Sequence, residues 1–331
     1  MNIKRLAATG VMLAMLLTGA VMAHGETADF GNPADFKTGM EENFYVQEGS
    51  FQELDTIKMA SQGKLMSCFG NNAGSVYTVF FLPPAPEQDY AIGNPQRGWA
   101  DEAPTAIDDP EIENYPANPF FSPAGWQYKL RQDEALVLFT GLPPQCKYYS
   151  FINYILFTQE KELKDYTGEK AYFRVGNQDI GLYHPVFGSI GSSIHAGNVK
   201  STDGSPYGSQ AVIVISANQT VTDTVLAQLK ASGFSEDVIN VMTIPAETYR
   251  MGLEKGKDTF AFLGRISQPE SQEDYDAYIA NLKETSTVYR VTPKEEVADA
   301  PYENETLISR GTGVHEAASL PRVEEHLDEM R

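Results

Sequence analysis

This chain of 331 residues is poor in the groups that make a reaction legible. It holds 2 cysteines and 5 histidines, and no HExxH, GxSxG, GxGxxG or EF-hand loop. The nearest phosphate-loop string, Gly252 to Asp258, is one residue short and places Asp258 where a magnesium-binding hydroxyl belongs. Two cysteines without a CxxC pair do not build a zinc site, and no cofactor is implied. Positive charge is also scarce. With 25 Lys plus Arg against 45 Asp plus Glu, the net charge is −20 and the pI is near 4.6. Such a chain repels phosphate backbones and anionic lipid, which excludes nonspecific nucleic-acid binding and attachment to a membrane surface by charge.

What is present is core-forming material. Hydrophobic residues make up 42% of the chain, with 17 Tyr and 17 Phe, and this length predicts two domains. The N-terminus pairs Lys4 and Arg5 with an uncharged stretch from Leu6 to Ala23. That is the pattern of an export signal, with cleavage after Ala23. Thr18, Gly19 and Gly10 interrupt the stretch, and no second apolar run of its length follows, so no membrane anchor is expected. The expected location is secreted or periplasmic. Disulfides persist in those compartments, so Cys68 and Cys146 are a candidate bridge, with two buried free thiols as the other reading.

After the signal (1–23) and an N-terminal extension (24–43), residues 44–179 are dense in strand signals. Ser75 to Leu82, Trp126 to Leu130, Ala135 to Thr140, Lys147 to Phe157 and Ala171 to Val175 are β-branched and aromatic. An antiparallel, sandwich-like β domain is predicted there, with an acidic proline-rich arm from Pro86 to Pro123. Residues 180–208 form a Gly-rich connector. From 209 to 293 the order changes to strand Ala211 to Ile215, a helix opening at Thr220 and closed by Gly233, and strand Val241 to Ile244. Strand Thr259 to Ile266, a helix from Ser271 and strand Thr287 to Val291 follow. That β-α-β-β-α-β order predicts a ferredoxin-like domain, making the whole chain α+β. Residues 294–331 are a polar tail with a short helix from Leu320 to Met330.

Candidate chemistry concentrates in two places. The connector carries His184, Ser193, His195 and Asp203, in flexible backbone where an imidazole suits proton transfer. Hydrogen-bonded loop histidines are the alternative, since spacing identifies no carboxylate to orient either ring. On the strand from Lys147 to Phe157, Tyr148, Ser150 and Tyr154 share one face with Ile152 and Leu156. Phenols and a hydroxyl on apolar ground suit a ligand wall, and equally a central strand covered on both sides. Cleavage after Ala23 would leave His24 as a terminal amine–imidazole pair able to chelate copper, or simply as a polar terminus. Asp101 to Glu113 lacks the spacing of a calcium loop.

Leu142-Pro143-Pro144, followed by Tyr149-Ser150-Phe151 and Tyr154, resembles an element of exported bacterial proteins from a widespread family of unknown function. The resemblance implies a β domain and assigns no catalytic residue. The expected function is a noncatalytic module that binds a small molecule or a protein, or serves a structural role. The alternative is a hydrolase-like exported enzyme with its site around His184 and His195. Mass spectrometry of exported protein should show a chain that begins at His24 or within a few residues of it. An intact Met1 in the membrane fraction would contradict the export reading.

Overall fold

The computed structural model describes residues 30–54, 75–88, 126–160, 173–174, 182–254 and 256–303. The signal segment, the arm beyond residue 88, Cys68 and the tail helix lie outside the described residues. In chain order the elements are α1 Pro33–Met40, β1 Phe44–Glu53, β2 Ser75–Phe81, β3 Ala135–Gly141, β4 Cys146–Glu160, β5 Phe173–Arg174, β6 Leu182–His195, β7 Gln210–Ser216, α2 Gln219–Ala231, β8 Ile239–Thr243, β9 Thr259–Pro269, α3 Gln272–Thr285 and β10 Thr287–Pro293.

The ten strands of the described residues belong to one mixed sheet, ordered β5-β6-β4-β9-β2-β1-β10-β3-β7-β8. Only β7 and β8 run parallel, joined by α2 as a crossover. The sheet curls until β6 approaches β8, giving a nearly closed barrel. Neither the sandwich nor the ferredoxin-like domain forms. Strands β9 and β10 do not return to β7 and β8. They insert between β4 and β2 and between β1 and β3 respectively, so the two halves of the chain share one ladder. Residues 209 to 293 therefore build no sheet of their own. The local elements were sound, and what differs is their long-range pairing, which periodicity does not encode.

The curl creates an inner face. Phe51, Phe80, Leu138, Phe151, Phe262 and Val288 meet there, with the Phe80 and Phe262 rings stacked at 4.0 Å. At Gly264 an added Cβ would lie 2.1 Å from Thr78 Oγ1 and 3.1 Å from Phe151, so only glycine fits this point of β9. Helix α3 joins the matching ends of β9 and β10, and its Tyr275 and Leu282 enter the inner cluster, closing that end. Outside, α1 and α2 cover β10, β3 and β7 through Phe36, Met40, Val221, Val225 and Leu229.

Capping explains both ends of α2. Asn218, two residues ahead of the expected start, accepts from the Val221 N–H, and Gly233 closes the helix at φ 88°. Helix α1 lies in the N-terminal extension, where Asn32 followed by Pro33 is a helix-start signal. The supposed connector is not loop throughout, since strand β6 occupies Leu182–His195 of it.

One buried charge cluster locks the other end of the barrel. Arg290 forks onto Glu134 at 2.9 and 2.8 Å and donates to the carbonyls of Lys129 and Pro83. Glu134 also accepts from Thr292 Oγ1 and from the Arg131 N–H. Burial by itself would raise the Glu134 pKa, but the Arg290 charge and these hydrogen bonds outweigh it and hold the carboxyl below its ordinary range. Replacing Arg290 with Met should cost about 3 to 5 kcal/mol, because Glu134 is left charged and unpaired in the interior. Denaturant unfolding should recover most of that loss in the Glu134→Leu/Arg290→Met double variant.

Lys129 is buried beside this cluster and donates to the Lys257 carbonyl. Burial lowers its ammonium pKa from 10.5 to about 7, with the Asp258 charge opposing only in part. The folded value lies below the unfolded one, so between these pH values the unfolded chain binds more protons. Lys129 therefore makes stability rise with pH from about 7 to 10.5. Thermal melts of the Lys129→Met variant should show that slope reduced and a higher melting temperature at neutral pH.

Candidate functional site

Strand β4 pairs with β6 on one side and β9 on the other, so its alternation sorts its residues between the interior and the outer surface. Tyr149, Phe151 and Ile155 go inward. Tyr148, Ser150 and Tyr154, the residues singled out from sequence, share the outer face. Register places His195 of β6 and Arg265 of β9 directly opposite Ser150, with Tyr77 of β2 opposite Arg265. Tyr148 likewise faces Ser267, which faces Ser75. Two adjacent rows thus carry a cation, phenols and hydroxyls on one rigid surface.

Arg265 is the centre of the group. Its Nε donates to Ser75 Oγ at 3.2 Å, and its guanidinium carbon lies 5.9 Å from the centre of the Tyr148 ring. Ser75 and Ser267 are hydrogen-bonded to each other through their hydroxyls. Tyr148 is 46% exposed, whereas Tyr77 and Tyr154 are half-buried. Burial raises the Tyr154 pKa, the neighbouring Tyr77 and Tyr148 phenols add to the shift, and Arg265 opposes it. Tyr154 thus lies within electrostatic reach of the other two phenols and of the guanidinium. Further along the same face, Leu156, Ala261 and Val79 are buried with Leu54 and Trp126 in a separate apolar cluster.

Of the connector histidines, only His195 reaches this row. His184 pairs with Thr158 and His195 with Ser150, so the two histidines sit at opposite ends of β6. They are on the order of 25 Å apart along the ladder, and the structure does not bring them together. His195 closes the strand. Its Nδ1 accepts from the Gly197 N–H at 3.0 Å, and its own N–H donates to Asn198 Oδ1 at 2.8 Å. Among the described residues no carboxylate hydrogen-bonds the ring. Ser193 meets Asn198 through its carbonyl at 2.9 Å, and Asp203 accepts from the Ser205 N–H in a local turn. These bonds build the turn that leads to β7.

Cys146 is a buried free thiol at the start of β4 that points to the Tyr148 carbonyl, so the expected bridge with Cys68 is not formed. Burial pushes its pKa up, the environment of an inert thiol. A polar hollow of about 230 Å³ is lined by Tyr45, Glu87, Arg131 and Lys294, but Arg131 is already forked onto Asp133. Among the described residues no His, Cys, Asp and Glu group could hold a metal ion, and no helix is long and apolar enough to cross a membrane.

Comparison of the chain with protein-family models, with curated proteins and with solved structures finds no match. The family resemblance of Leu142 to Tyr154 thus remains a likeness of one segment. Sequence reading reached one wall of the outer cluster and missed Arg265, Tyr77 and Ser75. A signal existed in the Thr259 to Ile266 run, where Arg265 is the only charge in an otherwise apolar strand.

Proposed function

We propose that the chain is a noncatalytic binding module whose ligand lies on the outer face of β2, β9 and β4, against Tyr77, Tyr148, Tyr154 and Arg265. The observation that carries this reading is the exposed Tyr148 ring set beside a guanidinium that a serine holds in place. Aromatic faces and arginine dominate recognition surfaces because they offer large contact area and fixed donors at low entropic cost. The strands beneath fix the spacing of these groups before any ligand arrives, which lowers the ordering cost of binding. The hydroxyl and imidazole of Ser193 and His195 make no bond to each other, and the ring's Nδ1 is spent on the turn, so general-base work has no support in the described geometry.

The test is a broad small-molecule screen by thermal shift on the mature protein, repeated on Tyr148→Ala and Tyr154→Leu variants. True ligands should lose roughly tenfold or more in affinity in each variant, while the unliganded melting temperature changes little for Tyr148→Ala. A turnover activity that vanishes in His195→Ala would overturn the reading, and so would ligands indifferent to both tyrosine substitutions.

A further inference from the structure

We infer that the ligand of this face bears a carboxylate on a ring-shaped body, with the carboxylate on the Nη groups of Arg265 and the ring against Tyr148. The inference rests on the binding-module reading and adds the chemical class of the ligand. It starts from a contrast within the molecule. Arg131 pairs with Asp133, Arg250 with Asp258 and Arg290 with Glu134. Arg265 pairs with no carboxylate of the described residues, although the chain carries 45 acidic side chains. Its contacts are a hydroxyl, on Ser75, and an aromatic ring, on Tyr148. A guanidinium so placed is oriented but not neutralised, the state in which a planar fork best receives a planar two-oxygen anion.

The geometry narrows the anion. Nε is committed to Ser75 and one face of the guanidinium to Tyr148, leaving the Nη hydrogens as donors. One cation on a chain of net charge −20 favours a monoanion. A phosphate dianion would meet twice the long-range repulsion, and the residues directly opposite Arg265, Ser150 and Tyr77, supply no second cation. The ring requirement follows from Tyr148, whose exposed surface can stack on an aromatic or sugar ring beside the charge. An acidic sugar and an aromatic acid share this chemistry, and direct comparison separates them.

The experiment is isothermal titration of the full mature chain with benzoate, glucuronate, their uncharged counterparts benzamide and glucose, and inorganic phosphate. At least one of the two acids should bind, tenfold or more above its uncharged counterpart and above phosphate, as roughly expected for a charge-assisted pair. The tighter acid identifies the body. Arg265→Gln should bring that acid down to the level of its uncharged counterpart. Arg265→Lys, which keeps the charge and loses the fork and the Ser75 bond, should give a smaller drop and serves where the Gln variant melts early. An uncharged counterpart that binds as well as its acid, an acid unaffected by both Arg265 variants, or failure of both acids to bind at millimolar concentration would each overturn the carboxylate assignment. If neutral ligands from the broad screen are still lost in Tyr148→Ala, the binding face stands without it.

Discussion

The buried fork of Arg290 on Glu134 is the joint on which the barrel depends. It is one interaction, yet it touches four separated stretches of chain: β10 through Arg290 and Thr292, the lead-in to β3 through Glu134, the end of β2 through the Pro83 carbonyl, and the Tyr128 to Leu130 segment through the Lys129 carbonyl. Ser216, at the end of β7, adds a fifth by donating to the Glu134 carbonyl. A buried pair of this kind offers little net stability over an apolar replacement, because both charges have lost water. Its value lies in register. A one-residue slip of β10 would take Arg290 from the inner face to the outer and leave Glu134 buried without a counterion.

With the register set, the two outer halves of the curled sheet meet different fates. The outer face of β10, β3 and β7 is covered by α1 and α2, whose buried residues come from the chain's own amphipathic stripes. The outer face of β2, β9 and β4 instead carries a small buried cluster of Val79, Leu156 and Ala261 with Leu54 and Trp126, and beside it the tyrosine group around Arg265, where Tyr148 is exposed. The same ladder that puts Gly264 inside, against Thr78 and Phe151, must put the next residue, Arg265, outside. The candidate site is thus a direct consequence of core packing one residue away.

How much of this was legible follows from the range of each interaction. The helix from Ser271 was readable because its cap and its Tyr275, Tyr278, Ile279 and Leu282 stripe lie within a few turns of each other. The same holds for strand β7 and for Gly233 as terminator. Strand β6 was not, because its Gly, Ser and His residues read as loop, and only pairing with β4 over Ser150 to Glu160 makes it a strand. Of the site, Tyr148, Ser150 and Tyr154 were visible as one face of one strand. Tyr77 and Arg265 were not, since they lie in other strands and reach that face only through the β2-β9-β4 ladder.

By itself, then, the sequence determined local elements such as β7, α2, α3 and β10, the strongly acidic character, and which face of β4 carries phenols, because each of these depends on near neighbours or on a sum over the chain. The tertiary structure alone decided that both halves interleave in one barrel-like sheet, that Cys146 stays a free thiol, that the two connector histidines are held apart, and that an arginine paired with no carboxylate of the described residues stands among three tyrosines. Those outcomes rest on strand pairing between residues up to about 250 positions apart, as between Phe44 and Pro293. Hydrogen bonds between backbones carry no side-chain label, so partner choice emerges only when the whole apolar face and the buried Glu134 and Arg290 charges are satisfied together.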